Sequence, residues 1–257
     1  MSDHVRTEVV DRILEIELRR HDKRNAITTD MYLQMAQALE RAQGDPGVRA
    51  VCISGGPFFT AGNDLSDFLA APPADESAPV FRFLTVISTL DKPIVAAVAG
   101  QATGIGTTML LHCDVVVAAP DARFHTPFAD LGLVPEAGSS LLLPLAIGRA
   151  HAVRMLMLGE ALGAEEALRF GLVTAIVASE ELLGKAREYA ARLAAKAPAA
   201  LAATKRLIRS GIGRTVRDQM AAEVEVFRER VVSAEAREAF TAFLQKRAPR
   251  FEDAATP

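Results

Sequence analysis

The sequence predicts an α/β fold with a parallel or mixed sheet, on three observations. A buried strand, a glycine-bearing loop and a helix follow one another twice in the first half of the chain. Half of the 257 residues are apolar, enough for one sizeable core. After about residue 199 the pattern changes to long amphipathic helices.

In chain order, residues 5–19 alternate between apolar and polar side chains, and Val9, Ile13, Ile16 and Leu18 predict two half-buried strands in a hairpin around Asp11 and Arg12. A helix follows, with Thr28 or Thr29 as N-cap, an apolar stripe of Met31, Met35, Ala38, Leu39 and Ala42, and Gly44 as the stop. Residues 48–54 read as a strand, and GGPFFTAGNDL as a loop leading into the next helix. The second unit has a buried strand at Ile94–Val98, a glycine turn, a helix from about Gly106 and a further strand at Val115–Ala118. Between the two units, residues 70–80 are rich in Pro, Ala and acid and read as an exposed, mobile loop. These divisions give a core over residues 1–198 and a helical region over 199–257. In the latter, Val224, Phe227, Val231, Phe240, Phe243 and Leu244 are too many apolar residues for a free helical hairpin and must pack on the core or on another subunit. Lys205, Arg206 and Arg209 read as one solvated helix face.

The formal charge of −3 offers no electrostatic footprint for nucleic acid or an anionic membrane surface. No apolar run has signal-peptide or membrane-spanning length, so a cytosolic, cytoplasmic location is expected. Cys52 and Cys113 sit in apolar runs and read as buried thiols, not a disulfide framework. His112 and His125 are not at metal-ligand spacing with Cys113 and Asp114, so no metal site is expected. Ser139 and Ser140 lack a nucleophile elbow.

Chemistry concentrates in two loops, Ala61-Gly62-Asn63-Asp64-Leu65 and Gly104-Ile105-Gly106-Thr107. Each places glycine where a buried strand turns into a helix, whose start leaves backbone N–H groups without partners. Two such loops can share one oxygen as an oxyanion hole. The glycines alone also fit tight turns of no chemical purpose. They do not fit a dinucleotide or P-loop pattern.

The motifs DKRNAIT (22–28), FTAGNDL (59–65), KPIVAAVAGQATGIGTTMLLHCD (92–114), FHTPFADLGLVPEAGSS (124–140) and AEEALRFGLV (164–173) resemble the enoyl-CoA hydratase/isomerase, or crotonase, superfamily over residues 6–251. The resemblance implies a crotonase-like ββα spiral core with a C-terminal helical trimerisation region, forming homotrimers or dimers of trimers. It also implies an acyl-CoA substrate, whose coenzyme A is part of the substrate and not a separate cofactor. By the same resemblance the thioester oxygen would lie between the N–H groups of Asn63 and Ile105, the latter aided by the helix that follows it. Ala26 and Ala61 would offer backbone groups to the adenine, and Lys23 or Arg24 would lie near the phosphates. Gly62, Leu65, Gly104 and Gly106 complete the loops. Asp64 belongs to the same loop but reads as its brace or as a helix cap. Phe68, Phe81, Phe83 and Phe128 could line an acyl pocket or serve as plain core. Phe243 and Lys246 would reach a neighbour's coenzyme A.

The two positions at which hydratases of this family carry glutamates hold Thr108 and Phe128. A glutamate instead stands at Glu136, in PEAGSS, as in the monofunctional Δ3,Δ2-enoyl-CoA isomerases. One carboxylate suffices to move a proton from C2 to C4, and the surrounding Leu131, Leu133, Val134 and Leu141 would raise its pKa. The competing role for Glu136 is capping the following helix. A hydratase with a rearranged site and a non-catalytic acyl-CoA binder are the alternative functions.

Overall fold

The computed structural model describes residues 3–73, 77–211 and 213–251. β1 (Val5–Val10) and β2 (Ile13–Leu18) form the expected hairpin. Asp11 and Arg12 both take positive φ, 49° and 66°, the two-residue turn whose twist matches a strand pair. α1 (Thr29–Gly44) begins at Thr28, whose hydroxyl accepts the Met31 N–H, and ends at Asp45. β3 (Ala50–Ser54), α2 (Leu65–Ala70), α3 (Pro79–Thr89) and β4 (Ile94–Val98) follow.

The expected loop over residues 70–80 falls partly on residues 74–76, outside the described residues. Just before them, Pro72 is exposed and Pro73 is buried. α3 went unmarked in the sequence reading. Its signals are Pro79 in the first turn and buried Val80, Phe81, Phe83, Leu84 and Ile87 at helical spacing.

After β5 (Gln101–Thr103) comes α4 (Ile105–Thr108), only four residues long and continued by a 3₁₀ turn at Met109–His112. The expected helix from Gly106 is therefore a short bend. β6 (Val115–Ala118), β7 (Arg123–His125), α5 (Ser139–Ile147), α6 (Arg149–Leu156), β8 (Leu162–Gly163), α7 (Ala164–Phe170) and β9 (Ala175–Ile176) complete the sheets. α8 (Leu182–Ala194), α9 (Pro198–Ser210), α10 (Gly213–Val231) and α11 (Ala234–Leu244) close the chain.

The large sheet has the order β1-β2-β3-β4-β6-β9, antiparallel only between β1 and β2. A small sheet, β5-β7-β8, stands apart from it. Strand alternation sorts side chains between two cores: Val51, Ile53, Ile94, Ala96 and Val98 face the main one with α1 and α3, while Cys52, Val95, Ala97 and Val117 meet Leu182, Ala186 and Ala190 of α8. Both faces of the central strands are covered, which is why they read as continuous apolar runs.

Phe227, Val231 and Phe240 of the C-terminal helices join the main core, whereas Phe243 and Leu244 remain exposed. The solvated face expected on α9 is corrected. Lys205 is 5% exposed, and its ammonium donates to Asp114 Oδ2 at 2.6 Å and to the Lys92 carbonyl at 2.7 Å. Arg209 donates to the Leu90 carbonyl at 2.9 Å, so only Arg206 lies at the surface, paired with Asp91. Asp114 also accepts the Ile94 N–H, so this carboxylate ties the start of β4 to α9.

Candidate active site

The two glycine loops meet side by side. Thr60 donates its N–H to the Gln101 carbonyl at 2.9 Å and accepts from the Thr103 N–H at 3.0 Å, pairing one loop with β5. Gly62 has φ 91°, and a Cβ on it would lie 2.9 Å from the Thr103 carbonyl oxygen. A Cβ on Gly106 would lie 2.5 Å from Thr60 Cγ2. Any side chain at either glycine would push the loops apart.

Asn63 and Ile105 each follow a glycine of positive φ, Gly62 and Gly104. Among the described residues, neither N–H has an acceptor within the chain, although Ile105 itself is 1% exposed. A buried N–H without a partner is uncommon. Ile105 is the buried one and Asn63 is half-buried, and two N–H groups without acceptors on adjoining loops are what an oxyanion hole would need. The aid expected from the following helix is reduced, because α4 is a single turn with little dipole.

The braces of this loop come from the segment before α1. The buried Asn25 amide donates to the carbonyls of Gly55 and Phe58 at 2.7 and 2.6 Å. Arg20 bridges the Ala26 carbonyl at 2.9 Å and Asp64 Oδ2 at 2.6 Å. The other Asp64 oxygen accepts the Ser66 and Asp67 N–H groups, capping α2. Both Asp64 oxygens are thus engaged inside the protein, in the bracing and capping roles.

Glu136 is 5% exposed. Its Oε1 accepts the Thr108 hydroxyl at 2.5 Å, and its Oε2 has no hydrogen-bond partner among the described residues. Thr108 lies one helical turn after Ile105, so the carboxylate stands within one turn of an oxyanion donor. Burial pushes Glu136 up to about 8; the Thr108 hydrogen bond opposes this and the charge of Glu223 adds to it. The capping role for Glu136 is excluded: at the start of α5, Glu223 accepts the N–H groups of Gly138 and Ser140 at 2.6 and 2.9 Å.

Three participants were missed or undervalued in the sequence. Tyr32, fully buried in α1, donates its hydroxyl to Asn63 Oδ1, and burial followed by the nearby Glu136 charge raises its pKa. A tyrosine among buried helix positions usually has a polar partner, which is the signal that would have found it. Thr108 reads as an absent glutamate but is the partner of the one present. Glu223 lies 83 residues from Ser140 and leaves no local signal.

The remaining candidates divide into core and surface. Phe68, Phe81, Phe83 and Phe128 are buried in the main core, and Leu65 packs partly against it. Lys23 and Arg24 are exposed, and Arg24 lies over the Phe58 ring. The Ala26 and Ala61 N–H groups are engaged by the carbonyls of Lys23 and Arg24. Phe243 is 64% exposed and Lys246 lies just beyond α11, both outside this cluster of contacts. His112, held neutral by burial that lowers it to about 4, donates Nε2–H to the Ala137 carbonyl at 2.8 Å. Among the described residues, no group of three or more His, Cys, Asp or Glu is placed to hold a metal, and no helix is long and apolar enough to cross a membrane.

Comparison with known proteins gives the family. The family model described as enoyl-CoA hydratase/isomerase matches residues 8–254. The 1,2-epoxyphenylacetyl-CoA isomerase of Escherichia coli (strain K12) is 34% identical, over 98% of this chain and 99% of the relative. The carnitinyl-CoA dehydratase of Salmonella enteritidis PT4 is 43% identical over 77% of each. A solved enoyl-CoA hydratase/isomerase from Pseudoalteromonas atlantica T6c superposes with a TM-score of 0.93 at 43% identity, covering 97% of this chain and all of that one. The chain has the crotonase fold and belongs to the enoyl-CoA hydratase/isomerase family.

Proposed function

We propose that this enzyme moves a double bond from C3–C4 to C2–C3 of an enoyl-CoA thioester. The observation that carries the reading is the buried carboxylate of Glu136, one oxygen held by Thr108, one turn after Ile105, and the other without a hydrogen-bond partner among the described residues. Ionised Glu136 removes a C2 proton, and the electron pair moves through the carbonyl to a dienolate whose oxygen accepts the N–H groups of Asn63 and Ile105. The same carboxyl group returns the proton to C4, leaving the double bond conjugated with the thioester. Its high pKa serves both steps, because a weakly acidic carboxyl is a better base first and is readily protonated in between.

Addition of water by the two-glutamate route needs a second proton carrier. Phe128 is buried in the core, and the Thr108 hydroxyl is engaged by Glu136. Coenzyme A enters only as part of the substrate, with Lys23 and Arg24 near its phosphates and Ala26 and Ala61 near its adenine. A homotrimer or dimer of trimers would bring Phe243 and Lys246 to a neighbouring subunit's ligand.

Purified enzyme supplied separately with 3-hexenoyl-CoA and 2-hexenoyl-CoA tests the reading. Conversion of the first to the conjugated ester, with little consumption of the second, is expected. Rapid hydration of the second and an inert first would make it a hydratase. Binding without conversion of either would make it a non-catalytic acyl-CoA binder.

A further inference from the structure

The turn that carries Glu136 is gripped by the C-terminal helices of the same chain. At one end, Gly132 lies so close to α11 that a Cβ on it would meet the Ala236 nitrogen at 2.9 Å. Its carbonyl accepts from Arg230 at 3.3 Å. At the other end, a Cβ on Gly138 would stand 3.3 Å from both Met220 and Val216 of α10. Between these ends Ala137 takes φ 62°, a left-handed conformation that a non-glycine residue holds only when its surroundings enforce it.

A carboxylate stands at the far end of the turn. Glu223, 6% exposed, accepts the Gly138 N–H at 2.6 Å, the Ser140 N–H at 2.9 Å and the Ser140 hydroxyl. Gln219, one turn earlier on α10, donates to Ser140 Oγ at 2.8 Å. The two residues after Glu136 both hold left-handed geometry, and the N–H of the second is accepted by Glu223.

We propose that Glu223 is the positioning residue of the Glu136 turn, so that the C-terminal helices complete the reactive centre of their own chain. The inference rests on Glu136 being the base. The groups that face Glu136 are Thr108 on α4, Tyr32 on α1 and Glu223 on α10, with neutral His112 on the neighbouring Ala137 carbonyl. Of these, Glu223 alone brings a second negative charge, so its neutralisation eases ionisation of Glu136.

The test compares Glu223→Ala and Glu223→Gln with the native enzyme. Conversion of 3-hexenoyl-CoA is followed for kcat and KM, and the Glu136 carboxyl is titrated by its infrared C=O band, assigned by difference from Glu136→Gln. Loosening the turn should lower kcat by about 10²-fold in Glu223→Ala with KM changed less than about threefold. In Glu223→Gln the carboxyl midpoint should fall below about 8. Folded Glu223→Ala that converts 3-hexenoyl-CoA with native kcat overturns the proposal, whatever happens to the melting temperature. Should Glu223→Ala fail to fold, the Gln variant decides by the same comparison of kcat and KM. If Glu136→Gln itself turns over 3-hexenoyl-CoA at the native rate, the choice of base fails, while the infrared titration still reads whether Glu223 governs Glu136.

Discussion

Replacing Thr108 by valine removes one hydrogen bond at nearly constant shape, and its consequence can be worked out in sign and size. The Thr108 hydroxyl donates to Glu136 Oε1 at 2.5 Å in a site closed to water. A hydrogen bond to a charged acceptor contributes about 1.5–3 kcal/mol. At about 1.4 kcal/mol per pH unit, its loss should raise the carboxyl by about one to two units, from about 8 toward 9–10. Glu136 must be ionised to act as base, so kcat/KM rises with pH through the carboxyl pKa and levels off above it. At pH 7 about a tenth of native enzyme is ionised, against about 0.1–1% of Thr108→Val. The variant should lose about 10- to 100-fold in kcat/KM at pH 7, and the deficit should shrink steadily toward pH 10. Thr108→Ser, which keeps the hydroxyl, should retain the native midpoint. Steady-state kinetics on 3-hexenoyl-CoA across pH 6–10 make the comparison. A deficit equal at every pH, with the midpoint unmoved, would refute the reasoning.

Three further outcomes are expected. Glu136 is raised from 4.5 to about 8, so the folded state keeps a proton that the unfolded chain releases between those values. Native stability should therefore fall as pH rises through that window, and Glu136→Gln should gain stability over the native enzyme, on the order of a few kcal/mol by pH 8 and almost nothing at pH 4; urea denaturation at several pH values measures this, and a pH-independent difference contradicts it. Tyr32→Phe removes the donor to Asn63 Oδ1 and should reduce kcat about tenfold while changing the melting temperature little; unchanged kcat would show that the bond does not orient the loop. Lys205→Met leaves Asp114 partly buried without its cation and should cost about 3 kcal/mol in chemical denaturation with kcat preserved in the folded fraction.

How far the fold could be read depended on whether its cause was local. The hairpin turn at Asp11 and Arg12, the Thr28 cap and the apolar strands at Ile94–Val98 and Val115–Ala118 are each set by side chains within a few positions, and each stands where the sequence puts it. The small sheet of β5, β7 and β8 was not anticipated, because strands of two or three residues carry no measurable alternation. Lys205 misled for a different reason. A lysine on a mixed helix face normally points to water, and here Asp114 and the Lys92 carbonyl, 91 and 113 residues away, make burial tolerable.

The site divides in the same way. Glycines at positions 62 and 104 announced two donor loops because their backbone conformation is nearly reserved to glycine. Glu136 stood out by its apolar neighbours. What tunes and aims that carboxylate comes from Thr108, Tyr32 and Glu223, which lie 28, 104 and 87 residues away in sequence and meet it only through tertiary packing.

The most direct measurement of the central claim is the rate at which Glu136→Gln converts 3-hexenoyl-CoA, made alongside the affinity of the same variant for a saturated acyl-CoA. Glutamine keeps the shape and cannot remove a proton. Binding close to native with conversion reduced by at least about 10³-fold is the result this mechanism predicts. Conversion at the native rate would contradict it.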